Sequence, residues 1–145
     1  MKLKFLGTGG GRYVTGMQRR RTAGIILITD KAQLHIDPGP GALVYSHEEV
    51  DASETNGVIV SHAHPDHSND AEAIIEMMTQ AYNKPGAVFA NKTCFEGTPD
   101  IEKRISNYHR DLCVKSKTLE DGGEEMFKGL KIECQEMEHG DPYTV

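Results

Sequence analysis

The stretch His62-Ala63-His64-Pro65-Asp66-His67 follows the apolar run Gly57-Val58-Ile59-Val60-Ser61 and precedes Ser68-Asn69-Asp70-Ala71-Glu72. Val58-Ile59-Val60 is β-branched, continuous and bounded by Gly57, which reads as a short buried strand. Asn69 can cap a helix, and Glu72 stands three residues on, where it would close a capping box. The hexamer therefore falls on a strand-to-helix turn, where an α/β scaffold carries its chemistry. On extended backbone, side chains two apart point the same way, so His62 and His64 can present imidazoles to one ion. Pro65 then fixes a turn that swings Asp66 and His67 to the other side of the same pocket. Three imidazoles and a carboxylate within six residues suit zinc or another first-row divalent ion. The plainer alternative, a solvated polar turn with scattered histidines, has to explain four potential ligands falling together at ligand spacing.

Size and composition bound what such a centre can serve. The 145 residues are sized for a single domain, 1–145, able to bury a real core. Hydrophobic residues make up 37% and charged residues 26%, ordinary for a globular protein. Sixteen basic against 22 acidic residues leave a net charge of −6, so there is no overall pull toward nucleic acid. A polyanionic substrate would need a local basic patch or the metal itself. Cys94, Cys113 and Cys134 are odd in number and form no Cys-x-x-Cys pair, which reads as reduced thiols rather than a zinc site or a disulfide framework. The longest apolar run, Ile25–Ile28, is too short to span a membrane, and Met1–Leu6 lacks a signal-peptide core. A cytoplasmic location with no membrane partner is expected.

Outward from the hexamer, Lys2–Leu6 alternates polar and apolar residues as a half-buried strand does. Gly7-Thr8-Gly9-Gly10-Gly11 follows. It is not a dinucleotide fingerprint, because Arg12 stands where the last glycine is needed and no amphipathic helix is expected to open there. A Walker loop fails too, since Gly16 is followed by Met17. Arg19-Arg20-Arg21 reads as a solvated basic run or as an anion-holding patch at a strand end. Thr22–Thr29 and Gln33–Ile36 form a hairpin around Asp30-Lys31, ending at Asp37-Pro38-Gly39-Pro40-Gly41. On its own Asp37 is a turn former, and His35 alternates with Leu34 and Ile36 on a sheet face. Ala42–Glu49 suits a short helix.

On the other side, Ala71, Ile74, Ile75, Met78 and Ala81 form a helical core stripe that ends by Asn83-Lys84-Pro85-Gly86. Ala87–Ala90 is the next buried strand, giving a βαβ unit with parallel pairing. Thr98-Pro99-Asp100 starts an expected short helix carrying Ile101 and Ile105, and His109 is expected on the surface. Asp111–Leu119 contains strand-like pieces. A hairpin around Lys128-Gly129 is expected to have its longer strand over Lys131–Glu138, delivering His139-Gly140-Asp141-Pro142. By itself His139 is an ordinary loop histidine.

Taken together, His-x-His-x-Asp-His after a buried strand, glycines closing the first strand, Asp37 followed by glycine after an apolar strand, and His139-Gly140 at a strand end resemble the metallo-β-lactamase-fold hydrolases. The resemblance implies an α/β protein, an αββα sandwich of which roughly the first half is present. It implies that His62, His64 and His139 hold one ion and leave a position open for water. Asp66 and His67 would hold a second ion, with Asp66 also orienting the attacking water or taking its proton. Asp37 would support the loop by hydrogen bonds rather than bind metal. The implied cofactor is zinc, one or two ions, with manganese or iron fitting the same ligands. Phe5-Leu6-Gly7-Thr8-Gly9-Gly10 resembles the opening of the ribonuclease Z-like and related phosphodiesterase members, so the expected reaction is hydrolysis of a phosphodiester by metal-activated water, on a small or nucleotide-like substrate. A thioester or lactone hydrolase is the alternative enzyme, and a non-catalytic metal-binding or interaction module the alternative of another kind. In that family the remaining ligands of a second ion lie downstream of the third motif. The chain is therefore expected to be truncated at its C-terminus, with the open sheet face covered by the missing half or by self-association.

Overall fold

The computed structural model describes residues Met1–Val145. Six short strands line up in chain order as one sheet, the central ones apolar and the outer β1 and β6 carrying lysines: β1 (Lys2–Gly7), β2 (Gly24–Ile28), β3 (Gln33–Ile36), β4 (Gly57–Val60), β5 (Ala87–Asn91) and β6 (Lys115–Leu119). The first three pair antiparallel, and β3 to β6 pair parallel. The switch follows from the connections. Asp30-Lys31 is a tight loop, closed by Thr29 N–H donating to the Ala32 carbonyl at 2.8 Å and Ala32 N–H donating to Thr29 Oγ1 at 2.9 Å. The later connections are long enough to cross over a helix, as parallel pairing requires.

All the crossover helices lie on one face. Ile26, Val58, Val60, Val88 and Ala90 from the strands pack against Ala42 of α2 (Ala42–Glu49, after the surface helix α1, Arg12–Met17) and against the later helices. These are α4 (Ala71–Thr79), α5 (Lys92–Glu96) and α6 (Asn107–Leu112), the one-turn α3 (Pro65–Ser68) lying between β4 and α4. Ile74, Ile75 and Met78 are fully buried, each contributing roughly 2–3 kcal/mol of hydrophobic stabilisation. The opposite face is covered only in part. The hairpin β7 (Glu124–Phe127) and β8 (Leu130–Glu133) lays Phe127 and Ile132 over Phe89, Ala87 and Leu119, with the Phe127 and Phe89 rings T-shaped at 5.3 Å. Its turn, Lys128-Gly129, is left-handed at both residues (φ 47° and 83°), the geometry that matches strand twist. At the far edge of the same face, Leu3 and Phe5 of β1 stay 51% and 64% exposed. No helix is long and apolar enough to cross a membrane.

Several local expectations give way to tertiary contacts. A helix does open at Arg12, but it buries no side chain, so no apolar stripe announced it. The stripe on α4 holds for Ala71, Ile74, Ile75 and Met78, yet the helix ends at Thr79 and Ala81 is exposed. Asn69 does not cap α4. Asp70 precedes it, and the Glu72 carboxylate accepts the Ser106 N–H at 2.7 Å instead of closing a capping box. No helix forms at Thr98. The helices there are α5, capped by Asn91 accepting from Cys94 N–H, and α6, capped by Ser106 accepting from His109 N–H. His109 is not a surface residue: its side chain is 16% exposed and lies between Glu72 at 2.9 Å and Glu76 at 3.5 Å, because α6 packs on α4. Finally, β8 stops at Glu133 rather than Glu138. Its partner β7 begins only at Glu124, after the turn at Asp121-Gly122-Gly123, so the chain beyond runs on without a ladder.

Candidate metal centre

Parallel strands place their C-terminal ends, and the loops that follow, on one edge of the sheet. Asp37 follows β3, the hexamer follows β4 and Asn91 ends β5. The two central loops pass so closely that a Cβ at Gly39 would lie 2.1 Å from the Asp66 carbonyl oxygen, leaving room for glycine alone. Asp37 ties them together. Its Oδ1 accepts the Ser61 N–H at 2.7 Å and its Oδ2 accepts the Ser61 hydroxyl at 2.8 Å, while His67 Nδ1 lies 3.0 Å from Oδ2. The Ser61 hydroxyl is also 2.9 Å from His62 Nδ1. Since that hydroxyl donates to Asp37, it can accept from His62 Nδ1–H, which leaves the Nε2 lone pair of His62 facing outward.

That lone pair meets two others. His62 Nε2 is 3.1 Å from His64 Nδ1, and His139 Nε2 is 3.0 Å from the same atom. Donor atoms of the three residues all lie within 4.8 Å of one another. Ligands on a tetrahedral zinc with bonds of 2.0–2.1 Å sit about 3.3 Å apart, so the three imidazoles fit a single ion. Only a shared proton or a cation makes such a convergence of lone pairs favourable. Asp66 and His67 stand together on the adjoining wall, with His67 Nε2 3.6 Å from Asp66 Oδ2, and Asp66 Oδ2 accepts the Gly11 N–H at 2.7 Å. His62, His64, Asp66, His67 and His139 all open on one cavity of about 410 Å³, whose remaining lining is Gly10, Gly11, Arg12 and Pro65. Asp37 lies behind it.

The electrostatics favour a cation. Burial, followed by the nearby charges of His67 and His64, pushes the His62 imidazole down to about 4, so it is neutral and available as a ligand at pH 7. The hydrogen bond to Asp37 raises His67 despite its burial, with the Asp37 and Asp66 charges adding to the rise. For Asp66, burial acts upward, but the Gly11 N–H and the neighbouring His67 outweigh it and hold the carboxyl below its ordinary range.

Two residues with no sequence signal complete the setting. Asp141 is fully buried and accepts from Ala63 N–H at 2.8 Å, Thr93 Oγ1 at 2.7 Å, Asn91 Nδ2 at 3.1 Å and Tyr143 N–H at 3.1 Å. Arg104 donates from Nε to the Ala63 carbonyl at 2.8 Å. An aspartate before a proline and a lone arginine look like surface residues in a sequence, and only the fold shows otherwise. The run Arg19-Arg20-Arg21 lies elsewhere: Arg21 pairs with Glu48 at 3.0 Å and covers the Tyr45 ring at 4.1 Å, and Arg19 stacks on Tyr13. Arg12 is the basic residue at the cavity.

No family model matches the chain. A protein of Methanocaldococcus jannaschii, named as uncharacterized protein MJ1374, is 35% identical across the whole chain, which spans 55% of that relative's length. Among solved structures, the subclass B3 metallo-β-lactamase MEM-A1 from a soil metagenome library superposes with a TM-score of 0.66 at 12% identity, over 99% of this chain and 52% of that one. The metallo-β-lactamase-fold protein YhfI of Bacillus subtilis gives 0.61 at 17% identity, covering 86% of this chain and 48% of that one. The short form of human tRNase Z gives 0.53 at 18% identity, covering 63% and 34%. The six-stranded mixed sheet with its histidine-lined edge thus has the fold of about half of a metallo-β-lactamase chain.

Proposed function

We propose that the histidine centre serves a metal-dependent hydrolase, with zinc as its ion and a phosphodiester as its scissile bond. The observation that carries the proposal is the meeting of three imidazole nitrogens, from residues 62, 64 and 139, at one corner of a cavity that also holds two carboxylate- and imidazole-bearing neighbours. A divalent ion bound there supplies Lewis acidity and lowers the pKa of a water from about 16 to about 7. His62, His64 and His139 hold that ion, and Asp66 with His67 offer ligands for a second. With Oδ2 of Asp66 taken by Gly11, Oδ1 is the atom left to orient the attacking water and accept its proton. Arg12 pairs with no carboxylate of the chain and lines the cavity, which suits an anionic phosphoryl oxygen. That placement favours the phosphodiester over an uncharged acyl substrate. The exposed Leu3 and Phe5 we read as a surface that further polypeptide or a second copy covers.

The test is zinc stoichiometry and molar mass of the purified chain, followed by turnover of a phosphodiester model compound beside thioester and lactone substrates. Zinc-dependent phosphodiester cleavage that disappears in His62→Ala supports the proposal. Cleavage confined to the acyl substrates reassigns the bond, and zinc binding with no turnover under any divalent metal leaves a metal-binding module.

A further inference from the structure

Ala63 is the residue between the first two candidate ligands, and both of its peptide groups are held by ionic side chains from distant parts of the chain. Its N–H, in the peptide that follows His62, donates to Asp141 Oδ2 at 2.8 Å. Its carbonyl, in the peptide that precedes His64, accepts from Arg104 Nε at 2.8 Å and from Ser68 Oγ at 3.2 Å. Ala63 itself is fully buried. Asp141 also stands two residues beyond His139, and the remaining bonds of its carboxylate reach Asn91, the last residue of β5, Thr93 in α5, and Tyr143 N–H. Val145 N–H donates to the Ser61 carbonyl at 3.2 Å, fastening the same segment one step before His62. One carboxylate therefore joins the loop of the third histidine to the backbone of the first two. A fully buried carboxylate with four donors is not a general solubility feature, and removing an acceptor strands those donors away from water.

We infer that Asp141 and Arg104 are positioning residues that set the spacing of His62, His64 and His139 by gripping the Ala63 peptides from opposite sides, so that metal affinity depends on two side chains that never touch the ion. The inference rests on the reading of the three histidines as a metal site.

The experiment compares the 145-residue chain with Asp141→Asn, Arg104→Gln, Arg104→Lys and His62→Ala. Zinc affinity is read by competition with a chromophoric chelator, cobalt coordination from its visible spectrum, and metal-free folding from the thermal melt. Asp141→Asn is expected to weaken zinc binding by about 10- to 100-fold, the size typical of lost outer-shell partners, and to alter the cobalt spectrum. Arg104→Gln should weaken it less, with Arg104→Lys restoring part of the loss. Because Asp141→Asn can destabilise the metal-free chain, Arg104→Gln decides wherever the asparagine variant fails to fold. Zinc binding that is lost in His62→Ala yet unchanged in both positioning variants, with an unaltered cobalt spectrum, overturns the inference alone. Zinc binding that is absent from the unaltered chain, or indifferent to His62→Ala, overturns the metal centre and the inference with it.

Discussion

His35 on β3 and His62 just beyond the neighbouring β4 share a depressed basicity, yet only one joins the histidine cluster. His35 lies mid-strand on β3, flanked by Ile26 of β2 and Val58 of β4, fully buried with neither ring nitrogen partnered. Burial, and then the charge of His47, pushes it down to about 4. His62 stands just past the end of β4, 5% exposed, pushed to a similar value mainly by burial. What separates them is company. Both nitrogens of His62 face polar atoms, Ser61 on one side and His64 on the other, whereas His35 faces hydrocarbon. A lowered imidazole pKa therefore reports burial, and only converging donors report a site.

The comparison breaks most sharply on metal binding. His62→Ala should lower zinc affinity on the order of 1,000-fold, about 4 kcal/mol, while His35→Leu leaves it unchanged, both read by chelator competition. Equal losses would mean that the core, not the rim, governs the centre. The loops that bring the rim together can be tested next. Gly39→Ala puts a Cβ against the Asp66 carbonyl oxygen and should destabilise the chain by about 3 kcal/mol in urea unfolding. Gly10→Ala, whose added Cβ meets only Asp66 Oδ2 at 3.7 Å, should be tolerated.

His35 makes its own prediction. Its pKa is about 4 when folded against 6.5 in the ordinary state, so between those values the unfolded chain binds the extra proton. Stability from this group is complete above pH 6.5 and drains away as the pH falls toward 4, by about 3 kcal/mol in all. His35→Leu should flatten that part of the pH–stability curve, and an unchanged slope would show that the buried imidazole is not the cause. The smallest effect expected is at the cavity mouth. Arg12→Ala should lower kcat/KM for a phosphodiester by about tenfold, and Arg21→Ala, already engaged by Glu48, should leave it unaltered.

Local chemistry made a good deal of this legible in advance. The strand over Val58–Val60, the hairpin around Asp30-Lys31, the helix Ala42–Glu49 and the buried stripe Ala71, Ile74, Ile75 and Met78 are all written in short-range periodicity. The failures share one character. Glu72 was free to cap its own helix until Ser106 claimed it, His109 looked exposed until α6 lay against α4, and β8 was too long because nothing local says where its partner strand begins. Asp141 and Arg104 carry no local signal for the same reason.

The sequence by itself determined the donor set: two imidazoles two apart, a proline turn, then an acid and a third imidazole, placed after a strand that must be buried. Only the tertiary structure decided that His139, 75 residues beyond His64, comes within 3.0 Å of it, that Asp141 holds the backbone between His62 and His64, and that His35 faces the core instead of the cavity. Spacing along a chain fixes direction over a few residues, because backbone geometry is local. Meetings between distant segments depend on how sheet, helices and loops pack, and that is a property of the folded whole.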